Sequence, residues 1–463
     1  MSEISKGPPR TGLETLDVHE ELAQARITPL HWRLAALMAA LTMFDGYDTN
    51  NPAYVVHYVA GPWHLTQSRS GMLISSGLVG FLIGSAMHGL FADRFGRRVT
   101  LLTALWIVSA FTLATPWIGT SFWPFCSVRL LTGTGLGVLL PLSTTYISEF
   151  APRRIANVFA IWSVALGWAA GGTVASVVGV FLTPRFGWQS LYYTGSLSFL
   201  VLAYMHVALP ESAKFLALQG RIDELKSLLV RLRPERASVY RSSALAISAP
   251  ARRRNSLAAL LTPRYRRTSL TIWFASFLSL FCIFGLTGWI PTVMIERGEG
   301  FAASFGFGGL LQIASFVGAL LGGYLIDRTG SSRAWLAALG GFGGASVLLL
   351  VFFNTHALNV FVVASAGFGI PGAQFLLNNF TAQSYETSVR ASAVGMELGV
   401  GRVGATLGPY IAGLLQQIYN GPSLVFLTIS VASVIAGLAI ISLGPTMRDV
   451  PDADRAPLQA IGA

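Results

Sequence analysis

Two acidic side chains lie in the middle of the first apolar stretch of the chain, at a spacing that could support proton exchange. Asp45 and Asp48 are three positions apart, which puts both on one face of a helix. Two carboxylates in a site of low dielectric constant repel each other, so one of them would carry a proton near neutral pH. The pair therefore predicts a site that takes up and releases protons.

Arg129 is the cation expected to serve this acid pair. Counted along helices that rise about 1.5 Å per residue, Arg129 and Asp48 lie at similar depths in their apolar stretches. We therefore expect the guanidinium to lie close to one of the two carboxylates, where it could hold or release that carboxylate during proton exchange. The alternative is a structural ion pair, because a charge in a membrane helix costs about 3 kcal/mol and persists when it is paired or functional.

The chain around these charges is very apolar. Of its 463 residues, 53% are hydrophobic and 11% are charged, against about 25% charged residues in a soluble protein. Such a chain cannot cover itself with a water-facing surface, so we expect the lipid bilayer to be its solvent. Residues 1–33 are polar and show no signal peptide. Cys126 and Cys282 both lie in apolar stretches, so neither a disulfide framework nor a metal site is expected.

Twelve stretches are long enough to cross a bilayer, for which a helix needs about 20 mostly apolar residues. They cover residues 34–58, 71–92, 99–120, 122–146, 156–182, 190–209, 269–294, 303–326, 334–354, 357–380, 392–416 and 422–443. The polar stretch between the sixth and seventh contains an amphipathic helix pattern at Glu211–Arg233 and basic clusters at Arg252–Arg254 and Arg264–Arg267. We expect an all-α membrane protein with a tail (1–33), a six-helix bundle (34–209), a central loop (210–268), a second six-helix bundle (269–443) and a second tail (444–463).

The distribution of lysine and arginine predicts the orientation in the membrane. The net charge is +11, and 27 of the 32 basic residues fall in the tails and in the loops on one side of the spans. Basic residues accumulate on the cytoplasmic side of membrane proteins, so both termini and the central loop are expected to be cytoplasmic. Because this asymmetry accounts for the net charge, nucleic acid is not expected as a partner.

A short loop pattern occurs twice in the chain, 234 residues apart. The first copy, Gly89-Leu-Phe-Ala-Asp-Arg-Phe-Gly-Arg-Arg98, follows the second span, and the second copy, Gly323-Tyr-Leu-Ile-Asp-Arg-Thr-Gly330, follows the eighth. The even number of spans between the copies indicates a parallel duplication about an axis along the membrane normal. That arrangement is known in alternating-access transporters.

The acid in the first loop copy suggests a gate. We expect Asp93 to pair with Arg97 or an arginine of another loop, and to cap the positive end of a neighbouring helix when the two halves close on that side. These contacts would favour the state open to the other side by about 1–3 kcal/mol; a basic loop that only sets the topology is the alternative. The first copy should dominate because it ends in two arginines, whereas the second continues with two serines. The candidate gating residues are Asp93, Arg94, Gly96, Arg97, Arg98, Asp327 and Arg328.

Over nearly its whole length the sequence resembles the major facilitator superfamily. The Gly89–Arg98 loop, Arg129-Leu-Leu-Thr-Gly-Thr-Gly-Leu-Gly137 and Pro210-Glu-Ser-Ala-Lys-Phe-Leu216 are similar to motifs of that superfamily. Within it, Asp45-Gly-Tyr-Asp-Thr49, Trp289-Ile-Pro291 and Gly401-Arg-Val-Gly404 resemble the aromatic acid:proton symporter family. The resemblance implies alternating-access uptake of a benzoate-type or hydroxybenzoate-type acid with a proton across the bacterial inner membrane.

An anionic aromatic substrate needs a cation and flat apolar walls. Arg402, near the middle of the eleventh span, is the candidate partner of the substrate carboxylate, because a guanidinium can form two parallel hydrogen bonds with it. A salt bridge to Glu397, or backbone contacts beside Gly401, are the alternatives, and Glu397 could also be a second protonation site. The other candidate substrate contacts, each with helix packing as the alternative, are Trp289, Tyr54, Phe284, Gln312, Asn378 and Asn379.

The sequence leaves three other functions open. The first is a porter of a sugar or another small organic acid, although the segment Phe281–Trp289 of the seventh span lacks the Gln-Gln pair usual in sugar porters. The second is an intramembrane enzyme, against which no acid or histidine set has metal-ligand spacing and no serine or cysteine has a matching base. The third is a non-transporting sensor. We expect a monomer that needs no cofactor and uses the proton as its coupling ion.

Overall fold

The structure is a computed structural model, and it describes residues 15–152, 165–242, 244–246 and 256–443. Four predicted features lie wholly or partly outside these residues. They are the beginning of the first tail, the first part of the fifth span, the part of the central loop that contains the basic cluster Arg252–Arg254, and the second tail.

Twelve helices form the body of the protein, and each coincides with one predicted span to within a few residues over the described positions. They are α1 (Pro29–Val59), α2 (Gln67–Phe95), α3 (Arg97–Ile118), α4 (Phe122–Phe150), α5 (Leu166–Phe181), α6 (Gln189–Gly195, continuing as Ser198–Ala208), α7 (Arg266–Glu296), α8 (Phe301–Thr329), α9 (Ser332–Phe352), α10 (His356–Ser384), α11 (Thr387–Tyr419) and α12 (Ser423–Ile441). Within the described residues, ten of them are long and apolar enough to cross a membrane by length and composition. Of the remaining two, α1 is 31 residues long but carries the two aspartates, and the described part of α5 has 16 residues.

Shorter elements gather near the chain's beginning and between α6 and α7. A strand, β1 (Thr15–Asp17), and a helix, Val18–Ala23, precede α1. After α6 come four short helices, Ala213–Leu218, Ile222–Leu232, Ala237–Ser242 and Ser256–Leu260, a 3-10 turn, Pro234–Arg236, and a strand, β2 (Ala244–Ala246). β1 and β2 pair in parallel, with Thr15 opposite Ala244. The amphipathic pattern predicted over 211–233 is interrupted at Gly220, whose φ of +69° suits glycine, so it forms two helices instead of one.

Glycines let the membrane helices approach one another closely, in equivalent pairs in the two halves. A Cβ at Gly80 of α2 would lie 1.9 Å from the carbonyl oxygen of Leu130 in α4, and one at Gly318 of α8 would lie 2.0 Å from that of Phe368 in α10. Likewise α5 packs on α1 through Gly171, as α11 packs on α7 through Gly404. Small residues permit such contacts between membrane helices. The fold is therefore two similar six-helix bundles, called here the first half (α1–α6) and the second half (α7–α12).

The two halves are in contact at one face of the protein and apart at the other. We call the face that carries residues 209–242 and 256–265 the loop face, and the other the opposite face. At the opposite face, a Cβ at Gly71 of α2 would lie 2.4 Å from the Pro409 carbonyl oxygen in α11, and one at Gly413 would lie 2.3 Å from that of Gln67. Towards the loop face, Gly395 and Gly399 of α11 border open space. The seam between the halves is therefore closed at the opposite face and open at the loop face.

Candidate functional site

Asp48 and Arg129 form a buried ion pair that joins α1 to α4. Nη1 of Arg129 donates to Oδ1 of Asp48 over 2.9 Å, and Nη2 donates to the Asp48 carbonyl oxygen over 2.8 Å. Thr112 of α3 donates to the other carboxylate oxygen, also over 2.9 Å. The Asp48 and Arg129 side chains are 2% and 1% exposed, and the guanidinium lies over the ring of Tyr192. The expected contact between Arg129 and one of the two acids is thus present, and Asp48 is the acid.

Asp45 has different surroundings, although it lies only one helical turn from Asp48. Its side chain is fully buried, and it accepts a long hydrogen bond of 3.5 Å from Thr49. Its Oδ2 atom has no hydrogen-bond partner in the described part of the chain. The cation within electrostatic range of Asp45 is Arg402 of the other half. The two acids therefore face different cations, Asp48 within its own half and Asp45 across the seam.

Arg402 reaches from α11 across the seam and rests on an aromatic ring of the first half. Its guanidinium carbon lies 3.9 Å from the centroid of the Phe81 ring and 5.9 Å from that of Phe284. Both Asp45 and Glu397 are within electrostatic range. Among the residues that the structure describes, however, no acid is close enough to form a salt bridge with Arg402. The geometry leaves a guanidinium with free donors at the junction of the two halves, so it does not form the alternative salt bridge to Glu397.

Glu397 is instead bound by neutral groups from two other helices. Ser276 of α7 donates to its Oε1 atom over 2.8 Å, and Gln374 of α10 donates to the same oxygen over 3.0 Å. The terminal amide of Asn378 lies 2.8 Å from the Gln374 amide nitrogen and 3.1 Å from Oε1 of Glu397. Asn378 and Glu397 were predicted from the sequence, whereas Ser276 and Gln374 were not. The spacing of four between Gln374 and Asn378 on one helix was the available signal.

The remaining predicted substrate contacts divide between the seam and the closed opposite face. Trp289 donates from its indole nitrogen to the Pro409 carbonyl oxygen over 2.9 Å and is 2% exposed, so its ring is occupied by packing between α7 and α11. Tyr54 packs against Phe305, with its hydroxyl group against Gly308. In this conformation neither ring presents a free face to a ligand.

Two predicted amides make contacts of different kinds. Gln312 of α8 donates to Asn50 of α1 over 3.1 Å, and so forms a polar link between the halves. Asn379 is exposed and accepts a hydrogen bond from Gln383 over 3.1 Å. It follows Asn378 in the sequence but forms no hydrogen bond with Glu397 in the described structure. Of the predicted substrate contacts, Phe284 and Gln312 lie along the seam: Phe284 beside Arg402, and Gln312 against Asn50.

The first loop copy is part of a charge network on the loop face. Arg97 lies 3.2 Å from Asp93 and 3.5 Å from Glu149 of α4. The start of α3 is capped by Glu211, whose carboxylate accepts from the backbone nitrogens of Arg97 and Arg98 over 3.0 and 3.1 Å. A carboxylate at a helix N-terminus is favourable. The cap expected from Asp93 is therefore supplied by Glu211 in this state, while the Asp93 side chain is 70% exposed.

The second loop copy is built differently. Asp327 and Arg328 are exposed, and Arg328 makes a long contact of 3.5 Å with the Tyr324 hydroxyl. Gly330 ends α8 with a φ of +70°, a turn that suits glycine. In the first copy Arg94 lies beside Phe95. The two copies therefore differ in their contacts, since the first copy joins a network with Glu149 and Glu211, whereas within the described residues the second makes no such contact.

The fold and the membrane-buried charges define a transporter of the alternating-access type. A sequence profile of the Major Facilitator Superfamily matches residues 36–396, and the chain belongs to that superfamily. It is a multi-pass membrane transporter and not an enzyme. The structure of the xylose transporter XylE from E. coli in a partially occluded inward open conformation has the same fold, with a TM-score of 0.70 and 17% identity, over 92% of this chain and 100% of that chain.

Curated relatives of the chain are transporters of aromatic acids. It is 31% identical to a gallate transporter of Pseudomonas putida, over 93% of this chain and 95% of the relative. It is 30% identical to a 4-hydroxybenzoate transporter of Pseudomonas aeruginosa, over 88% of this chain and 91% of the relative.

Proposed function

We propose that this protein imports an aromatic carboxylate together with a proton across the bacterial inner membrane. The observation that carries the proposal is the guanidinium of Arg402, which lies at the seam between two aromatic rings with no salt-bridge partner in the described structure. The similarity of the chain to a gallate transporter and a 4-hydroxybenzoate transporter supports an aromatic carboxylate as the substrate. No cofactor is required, since binding and reorientation need only side chains and protons.

Arg402 supplies what an aromatic carboxylate needs. A guanidinium binds a carboxylate through two hydrogen bonds, and rings such as Phe81 and Phe284 interact favourably with an aromatic ring placed beside them. One ring comes from each half, so a ligand bound between them contacts both halves at once. A ligand placed in this way can influence the movement of one half against the other.

The proton acts through Asp45 because this acid faces the same cation. In the empty carrier, Arg402 and Asp45 balance each other's charge across the seam. A substrate carboxylate that binds Arg402 removes this counter-charge from Asp45, and a buried carboxylate without a cation is costly. Asp45 then takes up a proton. The loaded seam then carries the same net charge as the empty seam, whereas substrate without a proton adds one uncompensated negative charge.

This charge balance predicts that one proton is transported with each carboxylate and that no net charge crosses the membrane.

Asp48 and Arg129 take part indirectly. Their pair is complete within the first half, so it remains closed and fixes α1 against α4. The role expected for these two residues in proton exchange is thus replaced, in our proposal, by one of positioning Asp45.

The orientation in the membrane decides which conformational state the structure represents. We place the termini and the loop face in the cytoplasm because 27 of the 32 basic residues fall on this side. The structure then corresponds to the inward-facing state, and bundles 34–209 and 269–443 move relative to each other to reach the outward-facing state. On closure of the loop face, the exposed Asp93 would meet the second half. We therefore keep the first loop copy as the gate.

The proposed function is tested by uptake into liposomes that contain the purified protein. With an acidic exterior, labelled 4-hydroxybenzoate should accumulate, benzoate and gallate should compete, and xylose should not. Arg402→Met should raise the half-saturating concentration at least about 30-fold, because a charged hydrogen-bonded contact contributes about 2 kcal/mol or more. Arg69→Met, which removes an arginine outside the seam, is the matched control. Accumulation of xylose instead of the acids, or full activity of Arg402→Met, would refute the proposal.

A further inference from the structure

A polar cluster in the second half is not used by the mechanism proposed above. It consists of Ser276, Gln374, Asn378 and Glu397, contributed by α7, α10 and α11, and is called here the Glu397 cluster. The hydrogen bonds from Ser276 and Gln374 both end on Oε1 of Glu397. All members except Asn378 are buried. Three helices thus direct polar groups at a single carboxylate.

The Glu397 cluster has more acceptors than donors. Oε2 of Glu397 and Oε1 of Gln374 are buried and have no hydrogen-bond partner within the described residues. Buried polar atoms are almost always paired, and an unpaired one costs stability. What the cluster lacks is a group that donates hydrogen bonds, so its chemistry fits a ligand that carries an O–H or N–H group.

The cluster lies at a useful distance from Arg402. Glu397 and Arg402 are five positions apart on α11, which is about 7.5 Å along the helix axis, and the two charges are within electrostatic range of each other. Asn378 is only half-buried, so the cluster is not completely enclosed where α10 contributes this side chain. A benzene ring with a carboxylate at one end and a donor group at the other is long enough to bridge the two positions.

We propose that the Glu397 cluster receives a ring hydroxyl group of the substrate while Arg402 holds its carboxylate. The inference rests on the proposed function and narrows its substrate class to hydroxylated aromatic acids. One hydroxyl donates to one of the two unpaired oxygens, and two adjacent hydroxyls can donate to both. The transporter should therefore prefer 3,4-dihydroxybenzoate and 4-hydroxybenzoate to benzoate. It should also discriminate against 4-methoxybenzoate, which keeps the ring oxygen but has no hydrogen to donate.

The test is a competition assay against uptake of labelled 4-hydroxybenzoate in liposomes. In the wild type, the inhibitory concentration of 4-methoxybenzoate should exceed that of unlabelled 4-hydroxybenzoate at least about tenfold, as expected for a hydrogen bond to a charged acceptor. In Glu397→Met, which keeps an unbranched side chain of similar length, this ratio should fall below about 3 while uptake of labelled benzoate persists. Gln374→Met should lower the ratio in the same direction and carries the test if Glu397→Met does not fold.

Glu386→Gln is the matched control, because Glu386 precedes α11 and pairs with Arg264 at the loop face; its ratio should equal that of the wild type. A ratio that stays unchanged in the folded cluster variants would overturn the inference and leave the proposed function intact. Loss of gradient-driven accumulation of every acid, with exchange retained, would also overturn it, since Glu397 would then be a proton site. A wild type that transports no aromatic acid would refute both proposals together.

Discussion

The buried pair of Asp48 and Arg129 should behave as a structural element, and its removal should show this in stability. Both side chains are almost fully buried, and two hydrogen bonds of 2.9 and 2.8 Å join Arg129 to Asp48. Removing one partner of such a pair leaves an uncompensated buried charge and costs about 3–5 kcal/mol. The loss of stability in Asp48→Asn should lie near the lower limit of this range, because the bond from Arg129 to the backbone carbonyl oxygen of residue 48 remains. The loss in Arg129→Met should be larger.

The double variant distinguishes a structural pair from two independent residues. In Asp48→Asn/Arg129→Met neither charge remains, so its loss of stability should be smaller than the sum of the single losses by about 2 kcal/mol or more. Thermal unfolding in detergent can be followed with a thiol-reactive dye, since Cys126 and Cys282 are both buried in the folded protein. Arg69→Met is the control for loss of an arginine outside the seam.

Function is measured on the same double variant. Because Asp45 is unchanged, its uptake driven by a pH gradient should persist. Additive losses of stability, or an abolished proton-coupled uptake in a stable double variant, would show that the pair exchanges protons and would refute its structural role.

Three further predictions concern the two faces of the protein. Gly413→Val should shift the protein towards the state open at the opposite face, because a Cβ there would lie 2.3 Å from the Gln67 carbonyl oxygen. The labelling rate of cysteines placed along the seam should therefore change. Gly421→Val, at a glycine that borders open space, should leave that rate unchanged. Asp93→Asn should favour the present state by about 1–3 kcal/mol if Asp93 closes the loop face; unchanged labelling would remove Asp93 from the gate. Burial raises the pKa of Glu299, but hydrogen bonds, including one from His356, outweigh it and lower the pKa below its ordinary value of 4.5. Since an acid with a lowered pKa stabilises the fold only while ionised, the unfolding temperature should fall more steeply below about pH 4.5 in the wild type than in Glu299→Gln, and equal slopes would contradict this assignment.

The architecture could be predicted because it depends on patterns local in the sequence. A membrane helix requires a long apolar stretch, so the twelve spans were visible without knowledge of their packing. The contact between Arg129 and Asp48 could be predicted from depth, since each helix runs across the same apolar layer. Depth alone left open which acid Arg129 meets, because Asp45 and Asp48 lie only about 4.5 Å apart along the helix axis.

Contacts that depend on the mutual rotation of helices could not be predicted. Ser276 and Gln374 meet Glu397 only because α7 and α10 turn these side chains towards α11. Trp289 was expected beside a ligand, but the rotation of α7 directs its indole to the Pro409 carbonyl. Glu211 caps α3 across 114 residues of sequence, a long-range contact that no local pattern encodes.

The proposed coupling of the proton to the substrate carboxylate through Asp45 can be measured by comparing exchange with accumulation in Asp45→Asn. In liposomes with the membrane potential clamped to zero, the wild type should accumulate 4-hydroxybenzoate in response to an inside-alkaline pH gradient. Asp45→Asn should exchange internal for external substrate at a rate near that of the wild type but accumulate none, because its neutral amide mimics the protonated acid and cannot release a proton. Gradient-driven accumulation by Asp45→Asn at the wild-type level would contradict the account.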